Sequence, residues 1–257
     1  MGGAMVRGWL DAGLPASSLT ILEPNPSPEI ASLAVDREIA LIAGVAVPPP
    51  EMLVLAVKPQ SLDQVAPQIA SLAGERTLVL SIIAGKTIAN LLARLPQARA
   101  VVRAMPNTPA AIGRGVTAAF ASADVNPEQQ RWCERLLSAV GAFFWVDDEG
   151  AIDAVTAISG SGPAYVFALT EALAAAAERL GLPAELSMGL ARGTVEGAAE
   201  LMHRESATAP AVLRRNVTSP NGTTAAALAV LQEPGGLNDL MAKATAAARA
   251  RAAEMAG

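Results

Sequence analysis

The sequence predicts an α/β domain, a doubly wound sheet with helices on both faces, followed by an all-α domain. Three observations carry this prediction. Up to about residue 147, short apolar runs alternate with segments at the helical period, as strands feeding crossover helices do. From Asp147 onward strand signals stop. The chain there reads as helices separated by Gly and Pro at Gly181–Leu182–Pro183, Pro210, Ser219–Pro220–Asn221–Gly222 and Pro234–Gly235–Gly236. The composition is alanine-rich with only 17% charged and 3% aromatic residues, which suits closely packed helices and strands rather than a disordered chain. The predicted domains are 1–147 and 148–257.

In order, Gly2–Ala12 reads as a helix burying Met5, Trp9 and Leu10, and Leu19–Leu22 as a short strand. Pro28–Val35 gives a helical turn or two and Ile39–Ala43 another strand. The run Pro48–Pro50 forces an extended connection, because proline fixes φ and lacks an N–H. Leu53–Val57 is apolar on both sides of its pleat, as in a parallel sheet covered on both faces. Helix Leu62–Leu72, strand Thr77–Ile83, helix Ile88–Leu95 and strands Ala100–Ala104 and Gly115–Ser122 continue the alternation. Asn126–Pro127–Glu128 opens a helix to about Val140, with asparagine as N-cap and proline at the first helical position. Ala142–Val146 closes the sheet region.

The net charge of −5 argues against a nucleic-acid partner, whose phosphates call for a basic face. No apolar run in the sequence reads as long enough to span a bilayer, so no membrane partner is expected. The single cysteine, Cys133, cannot form an internal disulfide and fits a reducing cytoplasm. With one cysteine and one histidine, His203 at a helix end, no metal site is expected. Side chains so poor in nucleophiles and ligands point to a borrowed cofactor as the source of reactivity.

The amino-terminal half carries part of a dinucleotide-binding pattern. Such a Rossmann-like domain opens with a strand, then a glycine-rich turn into a helix. This sequence begins Met1–Gly2–Gly3 at the helix, so Gly2 fits the last glycine of that fingerprint, while the first strand and two earlier glycines are absent. Glu23, ending Leu19–Glu23, stands at the spacing of the acid that accepts a bond from the ribose 2'-hydroxyl, and leans toward NADH. The missing strand lies in the middle of such a sheet and would leave two neighbours with unpaired edges. The native polypeptide is therefore expected to start about ten or more residues earlier, with sharply reduced activity in the 257-residue form. Intact-mass analysis of the natural product checks this.

Several segments together resemble pyrroline-5-carboxylate reductases, and the resemblance covers nearly the whole chain. They are Ala56–Val57–Lys58–Pro59–Gln60, Ser81–Ile82–Ile83–Ala84–Gly85, Met105–Pro106–Asn107–Thr108–Pro109, Ser159–Gly160–Ser161–Gly162–Pro163–Ala164–Tyr165, and Val217–Thr224 followed by Ala227–Leu228 and Leu231–Gln232. The resemblance implies reduction of L-1-pyrroline-5-carboxylate to L-proline, the last step of proline biosynthesis, with NADPH or NADH as cofactor. It implies that Gly2, Glu23, Ala56, Val57, Lys58, Pro59, Ile83, Ala84, Gly85 and Asn107 line the cofactor site. It further implies that Thr224 is catalytic through a hydrogen bond to the ring nitrogen. Ser219, Gly222, Thr223 and Thr224, with Glu205, would hold the substrate, and the helical half would intertwine with a second copy in a dimer or larger assembly. The chain departs from the family pattern at Ala43 and at Pro48–Pro50, on the adenosine side.

Residue chemistry alone also allows plainer readings. Ser159–Gly162 lacks a preceding strand and a following Gly-Lys-Thr, so close helix contact suits it better than a phosphate loop. Thr223 also suits simple capping of the helix it begins. A related β-hydroxyacid dehydrogenase or imine reductase would need a lysine or aspartate beyond Asp147, where Asp153 alone precedes the serine–glycine motif. An inactive dinucleotide-sensing scaffold is the non-enzymatic alternative.

Overall fold

The computed structural model describes residues 1–45 and 47–256. They form two compact units, Met1–Gly160 together with the last turns from Ala248, and Ser161–Ala247.

In the first unit, α1 (Gly2–Asp11) leads to β1 (Thr20–Leu22), α2 (Pro28–Asp36) and β2 (Ala40–Ile42). There follow β3 (Met52–Leu55), α3 (Leu62–Ile69), β4 (Leu78–Ser81), α4 (Ile88–Arg94), β5 (Val101–Met105), β6 (Gly115–Ala121), α5 (Pro127–Ser138), β7 (Gly141–Trp145) and α6 (Ala151–Val155). The strands make a two-stranded parallel sheet, β1–β2, and a five-stranded sheet in the order β3–β4–β5–β6–β7. No strand among the described residues joins β1 to β3, so each pairs on one side only. All pairings are parallel except β5–β6, where Val102 faces Ala121 and Met105 faces Ala118 antiparallel. That reversal is a departure from the parallel sheet the sequence suggested. The turn Thr108–Ile112, ending on Gly113 at φ 68°, folds β6 back without a crossover helix.

Period-two alternation sorts the strands' side chains onto two faces. Leu78, Leu80, Val102 and Ala104 join Met5, Val6 and Trp9 of α1 and Cys133 and Leu137 of α5 in one core cluster. Val79 and Val101 turn the other way, onto Leu62, Ala66 and Ile69 of α3 and Ile88 and Leu91 of α4. Each such leucine or isoleucine taken out of water contributes roughly 1.5–3 kcal/mol. Ile21, Leu41, Met52 and Val54 pack on the first cluster and Leu22 and Leu53 on the second, so both sheets share these cores. Capping boxes fix two helix starts, Thr87 with Asn90 at α4 and Asn126 with Gln129 at α5.

A π-helical turn, Thr156–Gly160, joins α6 to α7 (Gly162–Arg179). The serine–glycine motif therefore does not break the chain. Ala151–Arg179 is one continuous helical stretch of 29 residues, mean hydropathy 1.2 over its most apolar window, and 11% of that window is buried. This corrects the expectation that no run has the length and composition of a membrane crossing. The second unit holds α7, α8 (Ala184–Arg204), α9 (Pro210–Asn216), α10 (Thr223–Leu231) and most of α11 (Leu237–Ala256). Gly181, at φ 93°, turns α7 back onto α8. Large apolar side chains such as Phe167, Leu169, Leu186 and Leu190 are exposed there, and His203 lies in the exposed last turn of α8.

Candidate active site

Open α/β sheets bind ligands beyond the carboxyl ends of their strands, and the expected cofactor residues of the first unit occupy such ends. Ala56 follows β3 and is exposed, Val57 is half-buried, and Lys58, exposed, precedes the short turn Pro59–Ser61 into α3. A side chain at Gly2 would place its Cβ 3.1 Å from the Cβ of Ala56, so the start of α1 lies directly against the end of β3. Glycine is what permits that approach. The N–H groups of Ala4 and Met5 bond the Met1 carbonyl at 2.9 and 3.1 Å, and no side chain caps α1. The N–H groups of Gly2 and Gly3 thus end a helix in the arrangement that accepts an anion.

Beyond β4, the buried Ser81 Oγ accepts the N–H of Ile83 at 3.3 Å, and Ile83 is itself 2% exposed. Ala84 and Gly85 complete the turn, Gly85 at φ 69°, a conformation that favours glycine. Glu23, exposed at the end of β1, accepts the N–H of Asn25 at 3.0 Å, and its own N–H bonds Ile42. Asn107 is 7% exposed and its amide is engaged at both ends. Its Nδ2 donates to the Ser159 carbonyl at 3.0 Å, and its Oδ1 accepts the Val116 N–H at 2.8 Å. A Cβ on Gly160 would lie 2.8 Å from Cε of Met105, so this glycine serves close packing, whereas Gly162 has open space around it. The tight Gly2–Ala56 contact and the open first turn of α1 fit the pyrophosphate of a dinucleotide.

The expected substrate residues all fall in the second unit, and no hydrogen bond among the described residues joins Glu205 to the Ser219–Thr224 turn. Glu205 ends α8 and is exposed. Thr218 anchors the following turn by donating to the Arg214 carbonyl at 2.6 Å. Asn221 then takes φ 60°, the Gly222 N–H bonds the Ser219 carbonyl at 3.1 Å, and Gly222 becomes the N-cap of α10 with no side-chain cap. A Cβ at Gly222 would overlap Ser219 Oγ. Thr223 therefore begins α10 rather than capping it, and no side chain caps the first turn, which carries the half-buried Thr224. A carboxylate fits there on both hydrogen bonding and the helix dipole.

Sequence reasoning missed Arg103, which is buried in β5 at 3% exposure. Its Nη1 lies 3.3 Å from Glu149 Oε1 and its Nη2 3.0 Å from Asp153 Oδ1. One charge inside the apolar run Val101–Met105 was the available signal. Asp153, the residue that a β-hydroxyacid dehydrogenase would use, is thus committed to an ion pair. Burial, with the charge of Glu134, pushes the Cys133 thiol up to about 12, which removes it as a nucleophile. Among the described residues no group of three or more His, Cys, Asp or Glu side chains is placed to hold a metal ion.

Fold and site define a two-part enzyme of the dinucleotide-binding class, an α/β half with a helical half. Residues 149–255 match the family model described as pyrroline-5-carboxylate reductase dimerisation. The chain is 42% identical over 258 residues to a pyrroline-5-carboxylate reductase of Pseudomonas aeruginosa, covering 100% of this chain and 93% of that one. It superposes on the structure of a pyrroline-5-carboxylate reductase from Coxiella burnetii with TM-score 0.87 at 33% identity, covering 100% and 95% of the two chains. A Plasmodium falciparum pyrroline carboxylate reductase with NADP bound gives TM-score 0.81 at 27% identity, covering 100% and 95%. The chain belongs to the pyrroline-5-carboxylate reductase family.

Proposed function

We propose that this protein reduces L-1-pyrroline-5-carboxylate to L-proline with NADPH or NADH, the last step of proline biosynthesis. The observation that carries the reading is the open N-terminus of α10, capped by Gly222 alone, with Thr224 beside it. The substrate is a cyclic imine bearing a carboxylate. The N–H groups of Thr223 and Thr224, with the Ser219 hydroxyl, hold that carboxylate against the positive end of the helix, while Gly222 leaves the turn open. Glu205 lines the same site. The Thr224 hydroxyl bonds the ring nitrogen and fixes the face the ring presents. An iminium is already electrophilic, so orientation supplies most of the catalysis and no strongly basic side chain is required.

When bound, the dinucleotide supplies the two-electron reduction of the C=N bond. Gly2, Ala56, Val57, Lys58 and Pro59 hold its phosphates, Glu23 its ribose, and Ile83, Ala84, Gly85 and Asn107 its nicotinamide side. We take residues 1–147 as the cofactor domain and 148–257 as the helical one, a division supported by the dimerisation match beginning at residue 149. The exposed apolar face of α7 and α8 suits pairing with a second copy in a homodimer or larger assembly. The buried free thiol of Cys133 suits a reducing cytoplasm. The net charge of −5 speaks against nucleic acid.

The test is a reductase assay of the native polypeptide with NADPH and NADH separately. Activity with pyrroline-5-carboxylate and its loss in Thr224→Ala are expected. Absence of turnover with both dinucleotides, or full activity in Thr224→Ala, refutes the reading.

A further inference from the structure

The two cofactor-side loops that the proposed reaction depends on are held by one ionic triad, a buried arginine between two half-buried carboxylates. Glu149 Oε1 accepts two donors, the N–H of Ile88 at 2.8 Å and Arg103 Nη1 at 3.3 Å. Ile88 is the first residue of α4, separated only by Lys86 and Thr87 from the turn that carries Ile83, Ala84 and Gly85. The second guanidinium nitrogen reaches Asp153, one turn before the π-helical Thr156–Gly160. Four residues beyond Arg103, Asn107 bonds the Ser159 carbonyl inside that π turn. The end of β5 therefore grips the β4–α4 turn through Glu149, and the α6–π segment at two points, through Asp153 and Asn107.

Stability is a poor explanation for such an arrangement. Burying the guanidinium and half-burying its two carboxylates costs desolvation that offsets much of their attraction, and a packed apolar set is often as stable. What the triad adds is direction. The guanidinium is planar, with donors fixed in a fork, and it sets two carboxylates at defined positions. One of those carboxylates takes up the first N–H of α4, which the Thr87–Asn90 capping box leaves over.

We propose that Arg103, Glu149 and Asp153 are positioning residues for the dinucleotide, setting the Ile83–Gly85 turn relative to β5 and the π turn. None of the three touches the reacting atoms. The proposal rests on the reading above that this turn borders the cofactor.

The test compares Glu149→Ala, Glu149→Gln and Arg103→Lys with wild type in the native polypeptide, all well below their melting temperatures. Dinucleotide Kd is measured directly by NADPH fluorescence, and KM is measured for each substrate. Glu149→Ala removes both bonds and is expected to weaken dinucleotide binding at least tenfold, with the KM for pyrroline-5-carboxylate within twofold. Glu149→Gln keeps an acceptor for the Ile88 N–H and should recover to within threefold of wild type. Arg103→Lys, a point charge that cannot span both carboxylates, should fall between. A merely structural role predicts instead that affinity losses follow melting temperature and strike both substrates alike, and that pattern overturns the proposal. So does a Glu149→Ala protein that binds dinucleotide within twofold of wild type. Should Glu149→Ala fail to fold, Arg103→Lys carries the decision, and wild-type affinity in it is equally fatal. Wild-type protein that binds neither dinucleotide removes the underlying reading, and the proposal with it.

Discussion

Replacing Gly222 by alanine separates substrate recognition from folding. The backbone there has φ −80° and ψ 172°, open to any L residue, so the change carries no backbone strain. Its cost is steric. The new Cβ overlaps Ser219 Oγ and stands 3.2 Å from the Ser219 carbonyl and 3.6 Å from Ser219 Cβ. The hydroxyl can rotate away, at roughly 0.5–1.5 kcal/mol for an unfavourable χ angle. The carbonyl cannot, being held by the Gly222 N–H at 3.1 Å. The turn must therefore open by a few tenths of an ångström, which misaligns the N–H groups proposed to grip the substrate carboxylate. Losing one hydrogen bond to a charged group costs about 1.5–3 kcal/mol, so the KM for pyrroline-5-carboxylate should rise roughly tenfold to a hundredfold. The melting temperature should drop by only a few degrees, about what 1 kcal/mol produces in a chain of this size. Steady-state kinetics at saturating dinucleotide measure this, with the dinucleotide KM as internal control. An unchanged imine KM, or equal rises in both KM values, would show that the α10 turn is not the carboxylate site.

Glu23 decides between cofactors if it meets the ribose: Glu23→Ser should shift the NADPH/NADH ratio of kcat/KM toward NADPH by about tenfold, since a carboxylate repels a 2'-phosphate; an unmoved ratio rejects that role. Cys133 titrates near 9.0 ordinarily and at about 12 in the fold. Between those values the native state keeps a proton the unfolded chain has lost, so stability is complete below pH 9 and declines as pH rises, by at most about 1.4 kcal/mol per pH unit. Denaturant midpoints from about pH 9 upward should fall more steeply for wild type than for Cys133→Ala, and parallel curves count against the thiol. Phe167, 64% exposed, tests the assembly face: Phe167→Asp should shift light scattering toward smaller species, whereas an unchanged mass places the interface elsewhere.

Local chemistry made most of the elements legible. Asn126–Pro127 marked the start of α5, and Met5 and Trp9 marked the inner face of α1, because caps and periodicity act within a few residues. The direction of β6 was not legible, since an apolar strand reads the same both ways and the short turn at Thr108–Ile112 sets its sense. The serine–glycine motif read as a place of close helix contact, but that helical bonding runs through it in the wider π geometry was not legible. Arg103 stayed hidden because Glu149 and Asp153 lie 46 and 50 residues away in sequence, beyond any periodic pattern. At α10 the turn residues were visible, but only the structure shows that Gly222, not Thr223, occupies the cap.

The separation of β1–β2 from the larger sheet has a thermodynamic consequence. Each of these strands is three residues long and paired on one side, whereas Leu78–Ser81 is buried along its whole length and paired on both. Local opening free energies follow such differences in burial and hydrogen bonding. Glu23, at the end of β1, thus follows a weakly protected strand, and Ile83–Gly85, beyond β4, a strongly protected one. Added amide protection over Thr20–Leu22 when dinucleotide is supplied is therefore the expected sign that the proposed Glu23 contact forms.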